Sequence, residues 1–263
     1  MSTSARPILG LAMFVIAPAT DPGSPPSTVV IPELFTSEGC SSCPPADQLL
    51  ARLAADAARA GDPVATLAFH VTYWNDLGWR DRFSAAAYTK RQEAYARRLE
   101  LPSLYTPQMV VDGERQFVGS NASEAETAVR AALARTRTIA VTLEAQSDRD
   151  SVTARCRVAG APAGAVLWVA WADAEDASAP DAGENDGIKL RHVHVVRALQ
   201  RTPIAGGSFA GAVRLERPEN VPGAVVAWVQ SGDVGAVLAG AMTPVALSAV
   251  AADHTPEKTR AGH

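Results

Sequence analysis

The chain has 263 residues, of which 47% are hydrophobic and 20% charged. That composition excludes a disordered chain and leaves room for two modest domains or one large one. A formal net charge of −4 excludes the basic footprint that nucleic-acid binding needs, so no nucleic-acid partner is expected.

In chain order, the first element reads as an export signal. Arg6 supplies a positive start, Ile8 to Ala17 is an apolar run too short to span a bilayer, and Ala17-Pro18-Ala19 has the small-x-small form of a cleavage site. Residues 1–19 are therefore read as a signal peptide and 20–27, rich in Pro, Gly and Ser, as a linker. No cysteine precedes Cys40 and no later stretch reaches ~18 uninterrupted apolar residues, so no stable membrane anchor is expected. The expected location is periplasmic or secreted, an oxidising compartment that tolerates disulfides.

Next comes an apolar segment, Val29 to Phe35, then Cys40-Ser41-Ser42-Cys43, then a helical stripe of Ala46, Leu49, Leu50, Leu53, Ala54 and Ala57. Two cysteines three apart at a helix start share a face. Unpaired N–H groups and the positive end of the helix dipole favour a thiolate there. Strand, C-x-x-C, helix is the order of a thioredoxin-like redox pair. Two other readings stay open. A static disulfide across three residues closes a very small loop and gains little by loop entropy. A metal pair lacks a second Cys/His pair at ligand spacing, although Cys40, Cys43 and His70 together would suit Cu(I). No cofactor motif and no further metal set is found.

Val64 to Phe69 reads as a buried strand. It leads into His70-Val71-Thr72-Tyr73-Trp74, at the strand end where α/β proteins place sites. His70 titrates near neutrality and is a candidate to assist a thiolate; Tyr73 and Trp74 are candidates to line a groove. Their alternative roles are a hydrogen-bonded structural histidine and loop-packing aromatics. Phe83 to Leu99 reads as a helix capped by Ser84, with Lys90, Arg91, Arg97 and Arg98 interleaved with Glu93 and Glu100 as a solvated face. Thr106-Pro107 leads a short strand, Gln108 to Val111. A cis proline here would face the C-x-x-C, and Thr106 would offer backbone hydrogen bonds to an extended partner. Asp112-Gly113 is a hairpin turn, and Asn121 or Ser123 caps a helix through Leu133.

From Thr138 the pattern changes to seven alternating segments: 139–145, 152–158, 166–172, 188–199, 208–215, 224–230 and 234–241. The expected architecture is a thioredoxin-like α/β domain over residues 28–136, then an all-β, sandwich-like domain over 138–245, with a disordered tail at 251–263. Within the second half, Cys156 reads as a buried core thiol, Asp181 to Gly187 as a solvated acidic loop, and His192 and His194 as same-face structural histidines.

The blocks Glu33 to Asp47, His70 to Trp79, Tyr105 to Gly113, Gly183-Glu184-Asn185 and His192 to Arg197 resemble domain of unknown function family 1223. The resemblance covers about residues 28–245. It implies a bacterial secreted protein of the thioredoxin-like superfamily with a β-rich C-terminal region, and no established activity. Pro32 departs from the uninterrupted apolar strand expected before the motif, so the strand should begin later or carry a bulge.

These readings converge on an exported thiol–disulfide oxidoreductase. Cys40 would attack a partner disulfide, Cys43 would resolve it, and Thr106 and Pro107 would hold the partner. Its partners would be the thiols and disulfides of exported proteins. The alternative is a non-catalytic binding or scaffold module with a static disulfide. Oligomeric state is not legible.

Overall fold

The structure, a computed structural model, describes residues 29–246. The expected signal peptide, the linker and the tail lie outside the described residues.

The first half runs β1 (Pro32–Thr36), α1 (Pro44–Ala60), β2 (Leu67–His70), a 3-10 turn (Asn75–Leu77), α2 (Ala86–Arg98), β3 (Gln108–Val111), β4 (Arg115–Val118) and α3 (Ala122–Leu133). The second runs β5 (Ala140–Ser147), β6 (Ser151–Ala159), β7 (Ala165–Ser178), β8 (Leu190–Pro203), β9 (Ser208–Glu216), β10 (Gly223–Ser231) and β11 (Val237–Val245). None of the helices is long and apolar enough to cross a membrane.

Local signals explain the helices. Pro44 and Pro45 occupy the first turn of α1, where a missing N–H costs nothing, and Gly61 ends it in the left-handed conformation at φ 72°. Asn121 caps α3 by accepting a hydrogen bond from the Glu124 N–H at 3.2 Å. The α2 cap differs from expectation. Ala85, extended, precedes the helix, and the Ser84 hydroxyl instead donates to the Asp81 carbonyl. Pro32 is the first residue of β1, a position that tolerates the missing donor, and the Ile31 N–H before it goes to the Asp112 carboxylate at 2.9 Å. Asp112 and Gly113, at φ 50° and 70°, form the β3–β4 turn. A Cβ on Gly113 would come 2.1 Å from the Gly235 carbonyl, so no larger residue fits.

The expectation of a thioredoxin-like α/β domain followed by an all-β domain is overturned. The described chain is mostly β, with eleven strands and three α-helices. Eight strands from both halves form one mixed sheet in the order β11-β10-β7-β8-β2-β1-β3-β4; β5-β6-β9 form a second, three-stranded sheet. The seam is β2 against β8, parallel, with Ala68 opposite Val195. The physical reason lies in β2. All four of its residues are buried, and it has neither the charge nor the proline that protects an open edge. Its second edge therefore requires a partner strand, and the second half supplies it.

Three apolar layers cover this frame. One holds Leu34, Leu49, Leu50, Met109 and Ala128 under α1 and α3. A second, on the opposite face under α2, holds Phe35, Phe69, Tyr88, Tyr95 and Trp228. The third lies between the two sheets and holds Val152, Cys156, Leu167, Trp171 and Leu215. Cys156 is thus a core thiol, its pKa pushed up to about 11 by burial.

Arg91 corrects the reading of α2 as a charged solvated face. It is buried, pairs bidentately with Glu33 of β1, donates to Gln230 of β10 at 3.0 Å and stacks over the Trp168 and Trp228 rings. The guanidinium therefore ties both halves together, whereas Lys90, Arg97 and Arg98 are exposed. Removing one member of a buried pair leaves the other charge unsolvated, at about 3–5 kcal/mol. Arg91→Ala should lose that much stability in urea unfolding. Far-UV circular dichroism and tryptophan fluorescence should still report one shared transition, because the sheet is continuous.

Candidate functional site

The chain leaves β1 at Thr36 and turns through Ser37 to Ser42 into α1. The Cys40 N–H donates to the Ser37 carbonyl at 3.2 Å and the Cys43 N–H to the Cys40 carbonyl at 3.1 Å. Cys43 is the N-cap of α1, accepting from the Asp47 N–H at 3.1 Å. This curl joins Cys40 and Cys43 in a disulfide with Cα atoms 5.4 Å apart. Both cysteines are fully buried, while Ser41 and Ser42 form an exposed lip.

Thr106 and Pro107, joined by a cis peptide bond, lie beside this lip. The Ser42 hydroxyl is 3.5 Å from the Thr106 carbonyl, and the Trp74 indole donates to the Thr106 hydroxyl at 2.8 Å. A Cβ on Gly119 would meet both Pro107 and Ala46, which places the proline against the start of α1. Tyr73 stands at the rim, 36% exposed, its hydroxyl donating to Gln92 at 3.2 Å. Cys40, Cys43, Thr106, Pro107 and Trp74 are thus gathered, with Tyr73 at the margin.

His70 belongs to a buried layer instead. Its Nδ1 is 2.7 Å from Asp81, and its ring meets Phe83 and His192 edge-on, with centroids 5.2 and 4.9 Å away. Among the described residues no group of three or more His, Cys, Asp or Glu side chains is placed to hold a metal ion, so Cys40, Cys43 and His70 do not form the Cu(I) set. His192 and His194 part company as well. His194, at φ 50°, bonds the Thr66 hydroxyl at 2.6 Å, whereas His192 enters the buried layer.

Sequence reasoning missed the residues that close the site from the second half. The 181–187 loop is no free solvated loop. Asn185, buried, donates to the carbonyls of both Glu38 and Cys40, at 2.8 and 3.0 Å, and the Glu184 carboxylate accepts from the N–H and the hydroxyl of Ser41. Below them Glu38, Asp47, His70, Asp81 and His192 form one buried polar layer. His192 Nε2 is 3.4 Å from Glu38, and its Nδ1 is 3.9 Å from Asp47. Asp47 was legible in one respect: a carboxylate beside Ala46, three before Leu50, sits on the apolar stripe of α1.

The family model described as Protein of unknown function (DUF1223) matches residues 30–230. The chain belongs to this family. A protein from Agrobacterium tumefaciens, known from a crystal structure, is 24% identical, with 88% of this chain and 100% of that one aligned at a TM-score of 0.61, and shows the same fold. A β-glucosidase from Kluyveromyces marxianus, in complex with glucose, is similar over 42% of this chain and 14% of its own, at 11% identity and a TM-score of 0.23. β-Glucosidase 3B from Thermotoga neapolitana is similar over 41% and 16%, at 14% identity and 0.22. Neither glucosidase bears on what this family member does. No curated protein matches the chain.

The electrostatics of the buried layer follow from its members. Burial pushes the Asp47 carboxyl up to about 6, against the pull of His192 and His70. Burial also works to lower His70, but the Asp81 charge and hydrogen bond, with Asp47 and Glu38, outweigh it and raise the imidazole. For Asp81 burial works upward, and His70 with the Glu38 and Phe83 N–H groups holds the carboxyl below its ordinary value. Asp47 therefore opposes folding at neutral pH. Its folded value lies above the unfolded 3.8, so the cost is absent below pH 3.8, grows to pH 6 and stays constant above, at about 3 kcal/mol. Asp47→Asn should raise the stability of the oxidised protein at pH 7.5 and leave it nearly unchanged at pH 3.5, as read by urea unfolding at the two pH values.

Proposed function

We propose that this family member is an exported thiol–disulfide exchange protein whose reacting bond is Cys40–Cys43. The observation that carries the reading is the disulfide at the start of a 17-residue helix, with the Ser41–Ser42 lip and the Thr106–Pro107 segment beside it. A bond closing so small a loop adds little by chain entropy, which argues for chemistry over reinforcement. Export rests on the signal-like residues 1–19.

The exchange balances as follows. A thiolate of an exported dithiol attacks Cys40 Sγ, breaking the Cys40–Cys43 bond, and Cys43 leaves as a thiolate and takes a proton. The partner's second thiolate then attacks its own sulfur in the mixed disulfide, and Cys40 departs with the electron pair. One disulfide passes to the partner; two electrons and two protons pass to this chain. In the reverse direction Cys40 attacks and Cys43 resolves. Thr106 and Pro107 align the partner's backbone beside the lip, and Tyr73 and Trp74 form its side wall.

The second reading, a static disulfide in a binding module, is favoured by one observation: both cysteines are fully buried, as inert structural cysteines are. Equilibration with glutathione buffers separates the two. Exchange predicts reversible cycling at a potential above about −300 mV, with insulin reduction that falls to background in Cys40→Ser. A pair that stays oxidised below that potential, with equal background rates in wild type and Cys40→Ser, supports the static module.

A further inference from the structure

The buried layer beneath the disulfide has no part in the exchange as described, yet it concentrates five ionisable side chains out of solvent. Each comes from a different element or connection: Glu38 from the loop after β1, Asp47 from the first turn of α1, His70 from the end of β2, Asp81 from the loop before α2, and His192 from β8. Behind them the Arg82 and Arg197 guanidiniums cover the far face of Phe83, 4.4 and 5.1 Å from its ring centre. Trp79 donates to Glu38 at 2.7 Å, and Ser178 lies 3.3 Å from His192 Nε2.

Three polar atoms of this layer are buried without a hydrogen-bond partner among the described residues: His70 Nε2, His192 Nδ1 and Glu38 Oε1. Buried orphan groups are costly, and a folded protein that keeps several in one place keeps them for a reason. Asp47, the carboxylate that faces the orphan His192 Nδ1, is in register with Cys43. Cys43 and Asp47 are four residues apart, one turn, on one face of the helix start. Asp47 is 3.9 Å from the orphan His192 Nδ1, and His192 Nε2 is 3.4 Å from Glu38.

We infer that Asp47 and His192 form a proton relay for the disulfide, giving Cys43 its proton when the bond opens and recovering it when the bond closes. The inference rests on the exchange reading. When Cys40–Cys43 is broken, the leaving Cys43 thiolate adds a buried negative charge one helical turn from the buried Asp47. Like charges in such a setting cannot all stay ionised, so one proton is shared between Cys43 and Asp47. His192 carries it between Asp47 and Glu38, and the His70–Asp81 pair holds the imidazole in place by ring contact. On closure, Cys43 returns the proton to Asp47 as its thiolate attacks Cys40 in the mixed disulfide and expels the partner's thiolate. Asp47, already pushed up toward neutrality by burial, suits that traffic.

The test compares the pH dependence of the midpoint potential between pH 5 and 8 for the wild-type full chain, Asp47→Asn and His192→Gln. Each proton taken up with two electrons changes the equilibrium tenfold per pH unit, about 30 mV. The relay predicts that the wild-type and Asp47→Asn curves run parallel above about pH 6 and diverge below it by up to tenfold per pH unit, because there Asp47 supplies the proton that Asp47→Asn must take from solvent, with His192→Gln between them. Curves that stay parallel across the whole range overturn the relay and leave the exchange reading standing. A wild-type pair that never cycles overturns both. If Asp47→Asn fails to fold, the wild type alone decides. Its reduced-minus-oxidised infrared difference spectrum at pH 5, where Asp47 still holds its proton in the oxidised protein, should lose a protonated-carboxyl band, and a spectrum without that loss contradicts the relay.

Discussion

The site depends on one pairing, β2 against β8. Ala68 lies opposite Val195 in parallel register, and that single alignment carries the whole second half to the cysteine loop. β8 starts at Leu190, so His192 enters the layer below the disulfide, and the loop just before β8 places Asn185 and Glu184 on Glu38, Cys40 and Ser41. Without the pairing, β2 would present an open, wholly buried-type edge, Cys40 would lose its carbonyl partner, and Glu38 and Asp47 would face each other without an imidazole between them.

Two buried ion pairs hold that alignment. Glu33–Arg91 crosses from β1 through α2 to β10, and Asp112–Arg137 ties the β3–β4 turn to the start of β11, with Arg137 donating to the Val237 carbonyl at 2.9 Å. Buried ion pairs are poor sources of net stability, since desolvation cancels much of the attraction. Their value here is register: each guanidinium fits one constellation of acceptors drawn from both halves, and a slipped β2–β8 pairing would strand the charge. The acid–histidine layer is a different matter. It holds three orphan atoms and a carboxyl driven upward by burial, a cost that an apolar core of the same volume would avoid.

Much of this was legible in the sequence. The stripe of α1, the Asn121 cap, the Asp112-Gly113 turn and all seven alternating segments of the second half are local patterns, and local chemistry decides them. What joins the halves left no such mark. Strand pairing between residues more than a hundred positions apart has no periodicity to read, so the change of pattern at Thr138, where the chain enters the three-stranded sheet, gives no sign that β7, β8, β10 and β11 join the strands of the first half. Arg91 sat in a run of charges that reads as solvated, and only its neighbour across space, Glu33, distinguishes it from Lys90. Asp181 to Gly187 has the composition of a solvent loop, because a clamp made of one amide and one carboxylate needs polar residues too. His70 read as a candidate to assist the thiolate and His192 as one of a same-face pair with His194; the meeting of His70 with His192 is a product of the β2–β8 seam.

The most direct test of this two-half site is the rate at which a small phosphine reduces Cys40–Cys43 in the native wild type and in Asn185→Ala. Asn185 holds the Cys40 carbonyl and the Glu38 carbonyl together, so losing its amide frees the cysteine loop from the second half. The account predicts reduction at least about tenfold faster in Asn185→Ala, the equivalent of ~1.4 kcal/mol of lost clamping, at unchanged circular dichroism. Equal rates in the two proteins would mean that the second half does not close the disulfide, and would contradict the account.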